Sequence, residues 1–331
     1  MMRVLVVGAG LAGCTTAREL AENGVRVTLA EAADSIGGKV IQYGCKATDK
    51  CNNCGLCLTA SLWEQVEQNK NIDIRLKTKL IDLMQEGDRY IAALQSADGT
   101  ITSEQFDKVV VSTGFAPSSL ETYNGFVELH ESAGILTGSR IEELCAERTG
   151  AGLFETPPER VAFIQCYGSR DQKEHAMYCS RVCCSYATRA AKVIKYFYPE
   201  CRVVFFYMEL QMVNRGDYYQ SLLDAGIEFV KCRPIQVTGG KPAGVSYDDP
   251  ATGKRMTEFF DWVVLSDGIR PDVAQARKIS ELCGLQQDAA GFLHHVNSDK
   301  PDVRVTGCAA GPKKIAETYM ESLAVARGLL L

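Results

Sequence analysis

The stretch that most constrains this chain lies at its start. Arg3 to Val7 reads as a short buried strand. It runs into Gly8-Ala-Gly10-Leu-Ala-Gly13, which opens a helical run from Cys14 to Asn23. In a G-x-G-x-x-G between strand and helix, the first glycine makes the tight turn and the second lets the backbone approach a pyrophosphate. The third lets helix and strand pack closely, with the helix N-terminus facing the phosphates. Gly24 ends the helix, and Val25 to Ala30 forms a second strand carrying Glu31 at its end. A carboxylate there suits the hydroxyls of an adenosine ribose; a solvated strand-end glutamate is the plainer alternative. An α/β class with an N-terminal Rossmann-like unit follows.

At 331 residues the chain is long enough for two domains with their own cores. A net charge of −5 gives no reason to expect nucleic acid or an anionic membrane surface as partner. No apolar run approaches the ~20 residues of a membrane span, and the N-terminus lacks signal-peptide anatomy, so the expected location is cytoplasmic. Against that background, 14 cysteines are the anomaly. A reducing compartment disfavours a disulfide framework, so dense cysteines point to metal binding or redox chemistry. Eight fall in two groups: Cys45, Cys51, Cys54, Cys57, and Cys166, Cys179, Cys183, Cys184. The other six read as small buried hydrophobes.

Further glycines extend the N-terminal pattern. Glu31 followed by Gly37-Gly38-Lys39 resembles the extended FAD fingerprint of two-dinucleotide-binding-domain flavoproteins. Thr113-Gly114-Phe-Ala-Pro117 resembles that group's T-G-x-x-P crossing. Near the C-terminus, Val303 to Thr306 leads through Gly307-Cys308-Ala-Ala-Gly311-Pro312-Lys313 into a helix ending at Leu330. Cys308 stands where these proteins carry an aspartate, so one carboxylate contact to the FAD is missing. Lys313, near the helix start, is a candidate for stabilising negative charge on a reduced flavin, or else a solvated lysine. These residues support FAD and not a nicotinamide. The expected FAD domain is discontinuous, 1–120 plus 272–331.

Cys51-x2-Cys54-x2-Cys57 has the spacing that wraps three corners of a 4Fe–4S cube, with Cys45 the nearest fourth ligand. Zinc is a rival, although zinc sites usually pair two knuckles or use histidines, and none is near. A redox-active dithiol is a third reading, but it leaves two cysteines idle.

Residues 121–158 read as a linker or excursion, with a helix from Ser139 to Glu147. A second domain, 159–271, reads as βαβαβ with a hairpin and a returning strand. Its first strand, Arg160 to Gln165, should meet a glycine loop if the domain bound NAD(P)H. The chain instead reads Cys166-Tyr-Gly-Ser-Arg-Asp to Cys179-Ser-Arg-Val-Cys183-Cys184, a C-x12-C-x3-C-C set. A helix is expected from Ser180 to Tyr198, placing Cys179 and Cys183 one turn apart on one face. Adjacent Cys183-Cys184 also admit a reading as a vicinal dithiol.

Phe163-Ile-Gln-Cys-Tyr-Gly-Ser-Arg-Asp171 with Tyr178-Cys-Ser-Arg-Val-Cys-Cys184 closely resembles the signature of HdrA, the flavin subunit of heterodisulfide reductases. The likeness extends to Ile36-Gly-Gly-Lys39, Gly134-Ile-Leu-Thr137 and Gly311-Pro-Lys313. It implies a two-dinucleotide-binding-domain flavoprotein fold, its second Rossmann-like domain adapted to an iron–sulfur cluster. It also implies that Cys166, Cys179, Cys183 and Cys184 hold a 4Fe–4S cluster near the flavin. HdrB- and HdrC-like subunits would be the partners, with a homodimer inside a larger complex. Methanogen HdrA proteins are about twice as long. The short form, with the extra Cys45–Cys57 group, is more similar to components of sulfur-oxidising, quinone-interacting or aromatic-acid-reducing complexes, and electron bifurcation does not carry over. The implied role is an electron-transfer oxidoreductase subunit. The alternatives are a self-contained NAD(P)H-dependent flavoprotein disulfide reductase and a zinc-stapled FAD scaffold.

Overall fold

The computed structural model describes residues 1–116, 131–150, 152–211, 216–295 and 302–331. Pro117 of the expected crossing and the first part of the expected linker lie outside the described residues. In chain order the first elements are β1 (Arg3–Val7), α1 (Leu11–Glu22), β2 (Arg26–Ala30), α2 (Leu62–Gln68), β3 (Ile72–Arg75), β4 (Thr78–Glu86), β5 (Arg89–Ser96), β6 (Ile101–Phe106) and β7 (Lys108–Val111). Next come β8 (Ile135–Thr137), α3 (Gly138–Glu147), β9 (Arg160–Tyr167), α4 (Cys183–Phe197), β10 (Arg202–Phe206), α5 (Gly216–Asp224) and β11 (Ile227–Val230). The rest are β12 (Gln236–Thr238), β13 (Ala243–Asp248), β14 (Arg255–Phe260), β15 (Trp262–Asp267), α6 (Val273–Cys283), β16 (Gln286–Gln287), β17 (Leu293–His294), β18 (Val303–Val305) and α7 (Ile315–Leu330).

Two compact units result. One comprises Met1–Ile41, Gly55–Ala116 and Pro271–Leu331; the other comprises Gln42–Cys54 and Pro117–Arg270. In the first, a parallel sheet runs β18-β7-β1-β2-β3. Both faces of β1 are covered, which is why its sequence is continuously apolar rather than alternating. Val4 and Val6 join a core with Leu20 of α1 and Leu29, while Leu5 and Val7 face Leu83, Leu94 and Phe106. The antiparallel β4-β5-β6 ribbon supplies the last three residues, as the turn-punctuated stretch predicts.

The second unit repeats the logic with a parallel sheet ordered β11-β10-β9-β15-β8 and an antiparallel β12-β13-β14 ribbon. Phe163 of β9 and Phe205 of β10 stack with ring centres 4.6 Å apart. Both are fully buried, and each contributes about 1.5–3 kcal/mol by leaving water. Central β9 delivers its C-terminal end to the loop before α4, where such sheets place their ligands.

Two stretches group differently from the sequence expectation. Within the expected linker, β8 pairs with β15, and Leu136, Ile141 and Cys145 enter the core that holds Phe163. Gln42–Cys54, expected with the FAD domain, belongs to the second unit. Gly44 there donates its N–H to the Glu142 carbonyl, and Lys46 forms a buried ion pair with the Glu142 carboxylate. Among the described residues no helix is long and apolar enough to cross a membrane.

Candidate functional site

In the first unit the glycines are where backbone meets backbone. Gly8 has φ +98°, and a Cβ there would sit 2.5 Å from the Ser112 carbonyl oxygen. A Cβ on Gly13 would sit 1.8 Å from the Gly8 carbonyl oxygen, and one on Gly38 would sit 3.0 Å from the Gly10 Cα. Gly10 and Gly37 are themselves bridged, so the two glycine turns form one cradle. Helix α1 follows with Gly10 at its cap, no side chain capping it and no acidic residue in its first turn. Its positive end is left to an anion, and the donor set suits a dinucleotide pyrophosphate. Glu31 accepts N–H groups from Ala9 at 2.6 Å and Ala33 at 2.8 Å, which fixes the carboxylate beside the cradle.

The remaining FAD candidates lie in the same unit. Lys39 sits 5.1 Å above the Phe115 ring; burial lowers its pKa, against the pull of Asp272, Cys308 and Glu31. Thr113 is half-buried, and Gly114, at φ +77°, has open space where a side chain would be. Gly307 packs on α1, where a Cβ would come within 2.6 Å of the Ala12 Cβ. Gly311 and Pro312 are half-buried. Lys313 donates to the Gly307 carbonyl at 3.1 Å and pairs with Glu321 at 3.3 Å, so its charge already has a partner.

In the second unit β9 ends in a bulge. Ile164 faces Leu265 and Tyr167 faces Asp267, so Gln165 and Cys166 together oppose Ser266. Such bulges re-aim a side chain at the end of a ladder. Cys166 takes φ +62°, which costs a residue with a side chain about 1–3 kcal/mol and persists only where the surroundings impose it. The Ser169 N–H closes the turn onto the Cys166 carbonyl at 3.2 Å. The loop beyond is tied down by Asp171 to Arg233, by Glu174 to Arg270 at 3.1 Å, and by the Tyr178 hydroxyl donating to the Ile269 carbonyl at 3.0 Å.

Helix α4 begins at Cys183, later than the sequence predicts, so Cys179 lies outside it. Arg181 adopts φ +60° and donates its N–H to the Cys179 Sγ at 3.3 Å; that left-handed turn excludes a helix through Cys179. Cys183 and Cys184 occupy the first turn of α4, which has neither a side-chain cap nor an acidic residue. Negative charge on these sulfurs is favoured by the helix end.

Cys166, Cys183 and Cys184 are buried, and Cys179 is partly so. Burial pushes the Cys166 thiol up to about 11, helped by Cys184 and opposed by the Arg170 guanidinium. The hydrogen bond between Cys183 and Cys184, with burial, raises the first; the same bond draws the second down. All four sulfurs thus lie within one another's electrostatic reach. Packing them as thiolates requires a compensating positive charge, which bound iron supplies. Among the described residues no three His, Cys, Asp or Glu side chains are arranged to hold a single metal ion. A cube asks for something else, one sulfur at each of four separate corners, and the four-cysteine set fits that demand.

The other cysteine group shares a local device. Ala47 donates its N–H to Cys45 Sγ and Asn53 to Cys51 Sγ, both at 3.4 Å, as Arg181 does to Cys179. Arg148 holds the Cys45 and Ala47 carbonyls, and Arg189 of α4 holds those of Asn52 at 2.7 Å and Asn53 at 3.0 Å. Cys45, Cys51 and Cys54 belong to the second unit, whereas Cys57 belongs to the first. Sequence reasoning missed Arg170, Ser169, Ser180 and Gly268, because no spacing rule marks them.

The model of the pyridine nucleotide-disulphide oxidoreductase family matches residues 2–145. An iron–sulfur HdrA protein of the CoB–CoM heterodisulfide reductase of Methanopyrus kandleri is 24% identical over 98% of this chain, which spans 63% of that relative. The HdrA protein of the ferredoxin:CoB-CoM heterodisulfide reductase of Methanosarcina acetivorans is 26% identical over 97% of the chain and 55% of the relative. This chain is a homologue of the HdrA proteins of heterodisulfide reductases. It spans between half and two thirds of the length of these two relatives. Among solved structures, thioredoxin reductase of Lactococcus lactis in its FR conformation superposes with a TM-score of 0.67 at 16% identity, covering 100% of this chain and 98% of that one. Thioredoxin reductase of T. acidophilum gives 0.65 at 17% identity, covering 99% and 98%. The fold of this HdrA homologue is therefore that of the pyridine nucleotide–disulfide oxidoreductases, as its two parallel sheets imply.

Proposed function

We propose that the chain is an FAD- and 4Fe–4S-containing electron-transfer subunit of a heterodisulfide reductase-like complex. The observation that carries this reading is the four-cysteine set at the end of β9 and the start of α4, in the place of a nicotinamide-binding glycine loop. Cys166, Cys179, Cys183 and Cys184 would hold one cluster. Cys51, Cys54 and Cys57, with Cys45 as fourth ligand, would hold a second; sequence spacing supports that assignment. Gly8, Gly10, Gly13, Glu31, Gly37, Gly38 and Lys39, with Thr113, Gly114, Gly307, Gly311, Pro312 and Lys313, would hold the FAD. When bound, FAD exchanges electrons singly or in pairs, while each cluster exchanges one at a time. The protein's share is to exclude water from Cys166, Cys183 and Cys184, to aim backbone N–H groups at sulfur, and to offer two uncapped helix N-termini to negative charge. Thiol or disulfide chemistry would sit in HdrB- or HdrC-like partners, with this chain as a homodimer in the assembly.

The test is composition under anaerobic conditions. The reading expects FAD with about eight iron and eight acid-labile sulfide per chain. FAD without iron after anaerobic reconstitution would sink it. A second reading, a self-contained NAD(P)H-dependent disulfide reductase, is favoured by the resemblance of the fold to thioredoxin reductases and by the hydrogen-bonded Cys183-Cys184 pair. That reading expects flavin reduction by NAD(P)H alone and two titratable thiols.

A further inference from the structure

We propose that Ser169 and Ser180 donate hydrogen bonds to the sulfur of a cluster held by Cys166, Cys179, Cys183 and Cys184, and so raise its reduction potential. The inference rests on the iron–sulfur reading above and assigns it two residues that carry no ligand role. Both serines are 0% exposed, and neither hydroxyl has a hydrogen-bond partner. A buried hydroxyl without a partner costs free energy, and native proteins rarely leave one so. Two in one loop call for an acceptor at that place.

Their positions name the acceptor. Ser169 closes the turn that begins at Cys166, through its N–H to the Cys166 carbonyl. Ser180 follows Cys179 directly, and its carbonyl accepts the Val182 N–H at 2.8 Å just ahead of Cys183. Both hydroxyls converge on Gly268 at the end of β15, where an added Cβ would lie 1.9 Å from Ser180 Oγ and 3.7 Å from Ser169 Oγ. The missing side chain of Gly268 is what lets them occupy that space. Around them stand four sulfurs and the uncapped start of α4. A cluster with four thiolate ligands is negatively charged, and reduction adds one electron and one more negative charge. A donor aimed at sulfur therefore stabilises the reduced form more, and the potential rises. Ser169 and Ser180 are positioning residues in this scheme; they touch sulfur and transfer nothing.

The experiment compares the anaerobically reconstituted full chain with Ser169→Ala, Ser180→Ala and the double variant. Iron and sulfide are counted first. Each sample is then titrated with dithionite, and the reduced cluster is followed by EPR at controlled potential. Each lost donor is expected to lower the reduced-to-oxidised ratio at fixed poise roughly tenfold, which is about 59 mV for a one-electron couple, with iron content unchanged. Resonance Raman Fe–S bands that shift in D2O for the parent chain should lose that sensitivity in the double variant. Unchanged midpoints with iron retained overturn the proposal, as does loss of iron from the alanine variants, which makes the serines structural. A parent chain that takes up no iron overturns both this proposal and the reading beneath it.

Discussion

Glu258 on β14 joins three strands at one carboxylate. Arg160 of β9 reaches it at 2.6 Å, Arg202 of β10 at 2.5 Å, and the Tyr247 hydroxyl of β13 donates to it at 2.6 Å. Burial alone would raise its pKa, but the Tyr247 hydrogen bond and the two guanidinium groups outweigh burial and lower it below the ordinary 4.5. A depressed folded-state pKa contributes stability above the unfolded value, and that stability is lost as pH falls through the folded value. Glu258→Gln should therefore cost about 1 kcal/mol at pH 7, after allowance for partial solvent screening. The gap between parent and variant in urea unfolding should close as pH drops below 4.5. A gap that widens in acid contradicts this account. The same scale explains which site residues were legible. A cysteine's chemistry is in its residue type, so spacing alone drew attention to Cys166–Cys184. Serines are common and mostly solvated, and only tertiary burial makes Ser169 and Ser180 unusual.

At the scale of elements, α4 does more than bury an apolar face against β9. Its first turn carries Cys183 and Cys184, and Arg189 further along grips the Cys51–Cys54 loop through two carbonyls. Arg189→Ala should speed amide exchange across residues 45–54 while leaving α4 itself protected, with a stability loss of about 1–3 kcal/mol for charged hydrogen bonds. Mass-spectrometric hydrogen exchange reads this directly, and unchanged exchange in 45–54 would show that the loop is held otherwise. The start of α4 differs from the sequence expectation by about a turn. Nothing in Ser180-Arg181-Val182 forbids a helix; a sulfur accepting the Arg181 N–H selects the left-handed turn. The β8–α3 segment was likewise hidden, since a three-residue strand has too few positions to show a period and is defined by its pairing with β15.

For the molecule as a whole, the organising fact is two parallel sheets with different chemistry at corresponding strand ends. The first sheet meets its helix through Gly8, Gly10 and Gly13; the second meets it through Cys166, Gly168 and Ser169. A nicotinamide has no glycine-lined approach to α4. NAD(P)H alone should therefore leave the protein-bound flavin oxidised over minutes under anaerobic conditions, whereas dithionite bleaches it. Stopped-flow bleaching by NAD(P)H at turnover-like rates of about 1 per second or faster would favour the disulfide-reductase reading instead.

Features that are local, or counted along the chain, were set by residue order alone. The G-x-G-x-x-G loop, the carboxylate after β2, the order of strands and helices and the two cysteine spacings each depend on neighbours within a few turns, so residue type and interval suffice. Tertiary packing decided which unit takes Gln42–Cys54 and that Cys166 sits in a left-handed bulge. It also decided that Gly268 makes room for two hydroxyls without partners. Those outcomes depend on burial and on pairings between residues far apart in the chain, such as Lys46 with Glu142 and Ser180 against Gly268. A partner a hundred residues away leaves no period or spacing to read.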